Sequence, residues 1–439
     1  MVKRGLFAAA LSSALLFSAA FAKESAAAHP YPVHAEYRSS ANLSKFSQSD
    51  LDRRVLEYYR GWKRRYLVRE GDLYRVAMNL EDKRVSTSES IGYGMLVAAI
   101  FAGADSEAKE IFDGLYRFSR RHPSRICREL MSWKVPTKKG DADSAFDGDA
   151  DIAYALLIAD AQWGGDTGIA YKKEALKIID AIYRCCVGER SRLPLLGDWV
   201  DPEGELYNQY SARTSDFMLA NFRAFYRSGE RDGWLEVIEA CREALLQIQN
   251  DRANRTLLVP DFIRFDKSTK RYAPAPRRFL ESEDDSYYYN ACRVPLRIGM
   301  DALFNGDETS RSIAVRMAGW VWYTSQKSAE GIKSGYRLDG TPIGDYFSPA
   351  FAAPLAVAAK CDASLGPMMD AIYEKIADRY DNYYEDTLSL ISQLLLSNNF
   401  WDPSLFGRRD KRGSDADDRE AEPPLDGPYR RNQDSENRE

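Results

Sequence analysis

Carboxylate and aromatic side chains dominate the chemically active residues of this sequence. Glu89 stands near the start of one apolar run, Asp147, Asp149 and Asp151 alternate at the start of a second, and Arg293 opens a third. The chain also contains 26 Tyr, 19 Phe and 8 Trp. Two carboxyl groups can supply the acid and the base that break a glycosidic bond, and aromatic rings present flat apolar faces to sugars. This combination is typical of sugar chemistry.

The composition excludes several other classes of protein. The 439 residues are 44% hydrophobic and 29% charged, which is the range of globular chains. A net charge of −5 offers no basic surface for a nucleic acid. Only three histidines occur, His29, His34 and His122. A zinc site or a Ser-His-Asp triad is therefore not expected, and we expect neither a metal nor a cofactor.

Ordinary helix capping is the alternative interpretation of the acidic residues. Asp and Ser favour helix starts, where carboxylates also face the positive end of the helix dipole. Taken one at a time, each of these residues fits that role. A calcium loop built from Asp147, Asp149 and Asp151 is disfavoured, because it lacks the glycine at its sixth position and the glutamate at its twelfth.

The two ends of the chain differ in composition from its middle. Residues 1–22 combine Lys3 and Arg4, an apolar stretch and the pattern Ala20-Phe21-Ala22, which indicates a secretory signal peptide. We expect residues 23–48 to be extended and the charged residues 406–439 to form a disordered tail. The protein is accordingly expected to be secreted or periplasmic, monomeric, and without membrane contact after the peptide is removed.

Six cysteines follow the predicted signal peptide, and export would permit them to pair. They are Cys127, Cys185, Cys186, Cys241, Cys292 and Cys361. Several fall on apolar helical faces and none forms a CxxC motif, so buried free thiols are the expectation. One disulfide is compatible with the sequence, but the spacing does not identify its partners.

Helical periodicity is the dominant structural signal between the two ends. Apolar residues spaced three or four apart predict twelve helices. These lie near 49–67, 89–102, 106–121, 147–162, 168–187, 214–227, 231–250, 294–304, 310–328, 348–361, 364–380 and 386–397. Strands should be few and short, since no convincing run of alternating Val, Ile and Thr is present.

The connections between these helices alternate in length. Those that leave even-numbered helices are brief, whereas those that leave odd-numbered helices are mostly long. In antiparallel hairpins this alternation places the long loops at one end of the bundle. We therefore predict an all-α fold, an (α/α)6 barrel of six hairpins over residues 49–405, with a cleft at the N-termini of the even helices.

Polar and aromatic residues concentrate at that predicted cleft. The expected lining is Glu89, Tyr93, Trp133, Asp147, Asp149, Trp199, Tyr288, Asn290 and Arg293. Helix capping explains each acidic residue alone, but it explains less well why so many should face one cleft. Function is expected there, because binding residues gather on loops that a rigid scaffold positions.

The segment from Ala145 to Trp163 resembles the signature of glycoside hydrolase family 8, with Phe146 where Ser or Thr is usual. Other matches follow in order between residues 29 and 405. They are Ser88-Glu89 with Gly92-Tyr93-Gly94-Met95, Gly197-Asp198-Trp199, the run from Tyr288 to Pro295, and Asn399-Phe400-Trp401-Asp402-Pro403. The resemblance implies an (α/α)6 barrel of an inverting, endo-acting enzyme.

The resemblance also implies roles for individual residues. Glu89 matches the family's proton donor, Asp147 matches the aspartate that holds the sugar beside the scissile bond, and Arg293 resembles a residue of the same subsite. Asn290 departs from the pattern, since many members carry the catalytic base there as an aspartate. One branch of the family also has Asn and takes its base from the preceding long loop. Glu281 is then the expected base, with Glu283 second.

The function that follows is a secreted inverting endo-glycosidase cutting β-1,4 linkages. Chitosan is the first expectation for the substrate, because the acidic cluster 281–285 and an isoelectric point near 5.6 suit a cationic polymer. A lichenase or endo-β-1,4-glucanase acting on β-1,3-1,4-glucan or cellulose is the alternative within the same class. A catalytically inactive glycan-binding protein and a helical interaction scaffold are alternatives of other classes.

Overall fold

The computed structural model describes residues 27–38, 40–138, 142–165, 168–229 and 231–406. The predicted signal peptide, the start of the predicted extended segment and residues 407–439 of the predicted tail lie outside the described residues. Within the described part of the chain, no helix combines the length and the apolar character needed to cross a membrane.

All twelve predicted helices are present, and together they form the predicted (α/α)6 barrel. Their bounds are α1 Gln48–Tyr66, α2 Ser88–Ile100, α3 Ala108–Arg121, α4 Phe146–Trp163, α5 Tyr171–Cys186, α6 Leu219–Gly229, α7 Gly233–Gln247, α8 Val294–Asn305, α9 Glu308–Thr324, α10 Pro349–Lys360, α11 Gly366–Ile376 and α12 Tyr383–Leu396. A short turn of helix, α13, follows at Pro403–Phe406.

The even-numbered helices form the inner ring of the barrel. They pack against one another in the order α2, α4, α6, α8, α10, α12, and α1 packs on α12. Their sequences explain this position, because a helix that is apolar on every side must be buried on every side. In α2, for example, every residue except Glu89 is buried. The odd-numbered helix α1 instead has one buried face and one charged face, as a helix of the outer ring requires.

The largest difference from the predicted helix starts is five residues, at α6. Helix α6 starts at Leu219, and Thr214–Asp216 instead form a 3-10 turn. The backbone N–H of Thr214 donates to the carbonyl of Asp261 (3.0 Å), and its hydroxyl donates to the carbonyl of Pro260 (2.7 Å). These bonds tie Thr214 to the long loop before α8 and keep the turn outside the helix, which begins at Leu219.

Short strands occur in the long loops, as expected. They are β1 Leu67–Glu70, β2 Leu73–Val76, β3 Ser86–Thr87, β4 Lys134–Val135, β5 Ser211–Arg213, β6 Phe262–Asp266 and β7 Arg271–Pro274. They pair antiparallel as β1-β2, β3-β4 and β5-β6-β7. The last two groups join loops that are distant in sequence, which makes the long-loop end of the barrel a fixed surface.

The opposite, short-loop end is crossed by the segment before α1, which we call the N-terminal strap (residues 27–38 and 40–46). Its backbone N–H groups donate to carbonyls at the C-terminal ends of five inner helices. The bonds run from Ala28 to Gln162 (2.9 Å), Tyr31 to Ala102 (2.8 Å), Ala35 to Asn398 (2.7 Å), Arg38 to Leu303 (2.8 Å) and Ala41 to Lys360 (2.8 Å). Carbonyls at helix C-termini lack partners within the helix, and the strap satisfies them.

Cys127 and Cys185 form a disulfide that joins the loop before α4 to the end of α5. Cys186, Cys241, Cys292 and Cys361 are free and buried. Four cysteines are therefore buried free thiols, as expected, and the other two form the one disulfide that the sequence allowed. The disulfide anchors one of the long loops that surround the predicted cleft.

Candidate active site

A close crossing of α2 and α4 brings Glu89 and Asp147 together. A Cβ atom on Gly148 would lie 2.5 Å from the backbone carbon of Ser88, and one on Gly92 would lie 3.0 Å from the carbonyl oxygen of Gly148. Only glycine permits this approach of the two backbones. The first turns of both inner helices therefore meet at the long-loop end.

Helix capping does not account for Glu89. Thr87 is the N-cap of α2, and its hydroxyl accepts from the backbone N–H of Ser90 (3.2 Å), while Ser90 Oγ accepts from the N–H of Thr87 (2.9 Å). This reciprocal capping box leaves the Glu89 carboxyl free for another partner. Asp147 does accept from the N–H of the adjacent Gly148 through Oδ1 (2.9 Å), so capping describes one of its two oxygens.

Arg293, at the start of α8, connects the two carboxyl groups. Its Nη1 donates both to Glu89 Oε2 and to Asp147 Oδ2, the latter at 2.7 Å. Its Nη2 donates to Ser215 Oγ (3.0 Å) and to Asn290 Oδ1 (3.0 Å). One buried guanidinium thus orients residues from four of the long-loop connections.

The two carboxyl groups on Arg293 differ in their affinity for a proton. Burial raises the pKa of Glu89 to about 7, against the opposing effect of Arg293 and with help from the charge of Asp147. Burial acts on Asp147 as well, but the guanidinium groups of Arg293 and Arg213 outweigh it and hold the pKa of Asp147 below its ordinary value. Near neutral pH, Glu89 can therefore hold a proton beside an ionised Asp147.

Asn290 faces two further carboxylates across the site. Its Nδ2 donates to Glu281 Oε2 (3.1 Å) and to Asp261 Oδ2 (3.2 Å). Asp261 also accepts from the backbone N–H groups of Tyr288 (2.9 Å), Asn290 (3.0 Å) and Ala291 (2.7 Å). Burial raises the pKa of Asp261 to about 7, although these N–H donors act in the opposite direction.

The acidic cluster 281–285 divides into one exposed carboxylate, Glu281, and three that are buried or half-buried. Glu283 pairs with Arg277. Asp284 is buried and accepts from the N–H groups of Leu280 (2.6 Å) and Glu281 (2.8 Å), and Asp285 accepts from Ser286 Oγ (3.0 Å). Glu281 is exposed and reaches Asn290. Of the two residues expected as base, Glu281 is the one directed toward Arg293 and its carboxylates.

Three of the predicted aromatic residues retain exposed ring surface. Trp133 is 42% exposed, and its carbonyl accepts from the N–H of Ser88 (3.0 Å), which places it beside the start of α2. Trp199 is half-buried with its ring edge-on to Tyr207 (5.3 Å), and Tyr288 is half-buried two residues before Asn290. Such rings are suited to packing against the apolar face of a sugar.

Tyr93 and Asp149 were expected at the cleft, but the structure places both away from it. Tyr93 lies one turn below Glu89, is 0% exposed, and its hydroxyl accepts from Arg297 (3.1 Å). Asp149 is 1% exposed, and its Oδ1 accepts from the N–H of Met131 (2.8 Å). Two positions along a helix turn the side chain by more than half a circle, so Asp149 cannot share the face of Asp147 and instead anchors the preceding loop.

The sequence-based prediction missed several residues of the site. Asp261 lies in an irregular part of the loop before α8, where no periodic pattern marks it. Arg213 lies 3.6 Å from both Asp147 and the fully buried Asp216. Arg213, Ser215 and Asp216 stand just before α6, and their position at a long loop was the one signal that could have selected them.

Comparison with a family model and with known proteins gives clear matches to this chain. The model of the glycosyl hydrolases family 8 matches residues 32–398. The chain is 36% identical to a beta-glucanase of Niallia circulans over 393 residues, which is 88% of this chain and 94% of the relative. It is 34% identical to an endoglucanase of Bacillus sp. (strain KSM-330) over 388 residues, covering 85% of this chain and 82% of that protein.

Solved structures also match the fold of this chain. The apo structure of a beta-1,3-1,4-glucanase from Paenibacillus sp. X4 aligns with a TM-score of 0.82 and 36% identity, over 86% of this chain and 100% of that one. Rex8A from Paenibacillus barcinonensis, complexed with xylose, shares the fold at 20% identity and a TM-score of 0.67. The family match spans the whole barrel, including every residue that Arg293 connects, and the chain therefore belongs to glycosyl hydrolase family 8 as a glycoside hydrolase.

Proposed function

We propose that the protein is an inverting endo-β-1,4-glycosidase acting on a β-glucan, with β-1,3-1,4-glucan as its preferred polymer. The observation that carries the proposal is the pair of carboxyl groups on Arg293, one able to keep a proton near pH 7 and the other ionised. The names of the relatives, beta-glucanase, endoglucanase and beta-1,3-1,4-glucanase, support the polymer class. The pattern of residues 1–22 supports secretion or export to the periplasm.

In this mechanism Glu89 is the general acid and Glu281 is the general base. Glu281 takes a proton from a water molecule as the water oxygen bonds to the anomeric carbon. The bond from that carbon to the glycosidic oxygen breaks, and the leaving oxygen receives the proton of Glu89. Ionised Asp147 stabilises the positive charge that grows on the sugar ring. Asn290 cannot replace Glu281, because an amide does not accept a proton at neutral pH.

The charge distribution favours a neutral glucan over chitosan. The expectation of chitosan rested on the cluster 281–285 and on the isoelectric point near 5.6. Within the cluster, however, Glu283, Asp284 and Asp285 are buried or half-buried and make contacts within the protein. Glu281 is left as the exposed carboxylate of that cluster near the site. One exposed carboxylate in the cluster gives little attraction for a polycation at ordinary ionic strength.

The substrate is tested by incubating the enzyme with β-1,3-1,4-glucan, carboxymethylcellulose, chitosan and xylan. We expect the highest rate of reducing-sugar release on β-1,3-1,4-glucan, with viscosity falling early, as an endo-acting enzyme requires. The Glu89→Gln variant serves as the control for contaminating activity. A higher rate on chitosan would return the substrate to the first expectation, and early release of single sugars without loss of viscosity would contradict endo action.

The stereochemical outcome tests the arrangement of acid, water and base. Direct displacement by water inverts the anomeric carbon, so cleavage of a β-linked oligomer should first give the α anomer at the new reducing end. Proton NMR of the nascent product distinguishes the two anomers before they equilibrate. The β anomer as first product would mean a retaining double displacement and would contradict the assigned base.

A further inference from the structure

The proposed base is held less firmly than the rest of the site. Among the described residues, the side chain of Glu281 makes its hydrogen bond with Asn290 Nδ2 (3.1 Å) and is otherwise exposed. Arg213 lies near enough for the two charges to attract each other. A base must stay within hydrogen-bond reach of its water, so the orientation of the Asn290 amide decides where Glu281 rests.

An asparagine amide can point either way, and here its surroundings select one orientation. Arg293 Nη2 is a donor and faces Asn290 Oδ1 (3.0 Å). Asp261 Oδ2 is an acceptor and faces Asn290 Nδ2 (3.2 Å). If the amide were reversed, two donors would meet at Arg293 and two oxygens would meet at Asp261. The amide group therefore presents N–H, and not oxygen, to Glu281.

Asp261 is the fixed point of this arrangement. Both of its oxygens accept two N–H groups: Oδ1 from Tyr288 and Ala291, and Oδ2 from the backbone and the side chain of Asn290. The Asp261 side chain is only 1% exposed, so it has little room to change its position. It defines both the turn at residues 288–291 and the direction of the Asn290 amide.

Resting on the proposed role of Glu281, we propose that Asp261 is the positioning residue of the base. Asp261 holds the Asn290 amide so that Nδ2 donates to Glu281, and Glu281 is thereby kept at the distance from the anomeric carbon that one water molecule requires. The Asp261 side chain itself contacts neither water nor sugar in the reaction. Its contribution passes through Asn290 to Glu281.

The variant Asp261→Asn tests this. An asparagine there offers one acceptor oxygen and one NH2 group where four N–H donors converge, so the Asn290 amide loses its fixed orientation. We expect kcat to fall by about 10- to 100-fold, the usual cost of misplacing a reacting group by about an ångström, with KM changed less than about twofold. Asp251→Asn, in an exposed ion pair of the same loop, is the matched control and should leave both constants unchanged.

Azide separates a positioning role from a structural one. In Glu281→Ala, azide should restore turnover as the glycosyl azide of inverted configuration, because the small anion replaces the activated water. If Asp261 acts through Glu281, adding Asp261→Asn to Glu281→Ala should not lower the azide-restored rate. If Asp261 merely supports the fold, the double variant should lose the same factor that Asp261→Asn loses alone, and the inference is then wrong.

The remaining outcomes also support or overturn the role of Asp261. If Asp261→Asn fails to fold, Asn290→Ala breaks the same link while leaving the backbone bonds of Asp261 intact, and it should show the same dependence on Glu281. If Glu281→Ala retains full activity, the proposed base is wrong and the inference falls with it. If Glu281→Ala is inactive and rescued while Asp261→Asn keeps full kcat, the base stands and only the inference is overturned.

Discussion

The two ends of the barrel contain buried charges that are arranged in opposite ways. At the short-loop end Arg223 donates Nε to Asp301 Oδ1 (2.7 Å) and Nη2 to Asp307 Oδ2 (2.8 Å). Nη2 also makes a longer bond to Asp301 Oδ2 (3.5 Å), but each carboxylate has a short bond to a different nitrogen. At the long-loop end Glu89 and Asp147 share a single nitrogen of Arg293. Separate donors satisfy both charges permanently, whereas a shared donor leaves one carboxyl group better protonated. The first arrangement stabilises the fold, and the second makes a proton available.

The ends of the inner helices are also covered at the short-loop end and open at the long-loop end. The N-terminal strap covers the C-terminal carbonyls of five inner helices, whereas the N-termini of α2 and α4 open toward the long loops. Variants at the long-loop end should therefore change catalysis without changing stability. Variants at the short-loop end should change stability without changing catalysis.

The largest effect is expected for Glu89→Gln. The substitution keeps the shape and an acceptor oxygen for Arg293 but removes the transferable proton. Loss of a general acid typically costs about 100- to 10,000-fold in kcat, and the midpoint of urea unfolding should stay the same. Steady-state kinetics and urea titrations on one preparation measure both. Glu308→Gln, at the exposed start of α9, is the matched control, and unchanged kcat in Glu89→Gln would remove Glu89 from the mechanism.

Arg223→Met should have the next largest effect, on stability alone. It leaves Asp301, which is fully buried, without its cation, and breaking a buried pair from one side costs about 3–5 kcal/mol. Urea unfolding measures the free energy, and kcat per folded molecule should not change. Arg53→Met, from an exposed pair with Glu57, should cost less than about 1 kcal/mol. Equal losses in both variants would contradict the distinction between the ends.

Asp147→Asn should lower kcat by about 100-fold, because a charge that stabilises the growing positive charge is lost. The pH dependence should also move. The charge of Asp147 contributes to raising the pKa of Glu89 to about 7, so without it Glu89 loses its proton at lower pH, and the alkaline decline of kcat/KM shifts downward. A pH–rate profile measures this. If only thermal stability changes, Asp147 is no more than a helix cap.

The smallest effect concerns Lys360 beneath the N-terminal strap. Its Nζ donates to the carbonyl of Ala41 (2.8 Å), and burial lowers its pKa from 10.5 to about 8. Between these values the unfolded chain binds more protons than the folded one, so this group makes stability rise with pH, by at most about 1.4 kcal/mol per pH unit. Urea unfolding between pH 7.5 and 9.5, roughly the lower part of that window, should give a smaller slope for Lys360→Met than for the wild type. If stability changes with pH equally in both proteins, the pKa of Lys360 is not lowered by burial.

Much of the fold was predictable because the hairpins repeat. Five long connections that alternate with five short ones leave few arrangements other than a ring, and an error of a few residues in a helix end, as in α6, does not alter it. The convergence of Glu89, Asp147 and Arg293 followed from the same alternation, since all three stand at inner-helix N-termini.

Three features were not predictable, for identifiable physical reasons. Tyr93 and Asp149 share a sequence motif with site residues, but both are buried. Tyr93 lies one turn deeper along α2 than Glu89, and helical rotation turns Asp149 away from the face of Asp147. Asp261 accepts from backbone N–H groups of a turn 27 to 30 residues away, which no side-chain pattern encodes. The pairing of Cys127 with Cys185 depends on how a long loop folds back on α5.

The N-terminal strap constrains the order in which the protein folds. Val33, near the start of the described chain, donates to Asn399 across 366 positions (3.0 Å), and Tyr37 donates to the carbonyl of Phe400 (2.6 Å). Contacts between such distant positions carry a large loop-closure entropy and form late. Each helical hairpin is local and can form as soon as its residues are available. We therefore expect the short-loop end to be completed last, when the first and the last parts of the barrel meet, with the inner-helix carbonyls hydrated until then.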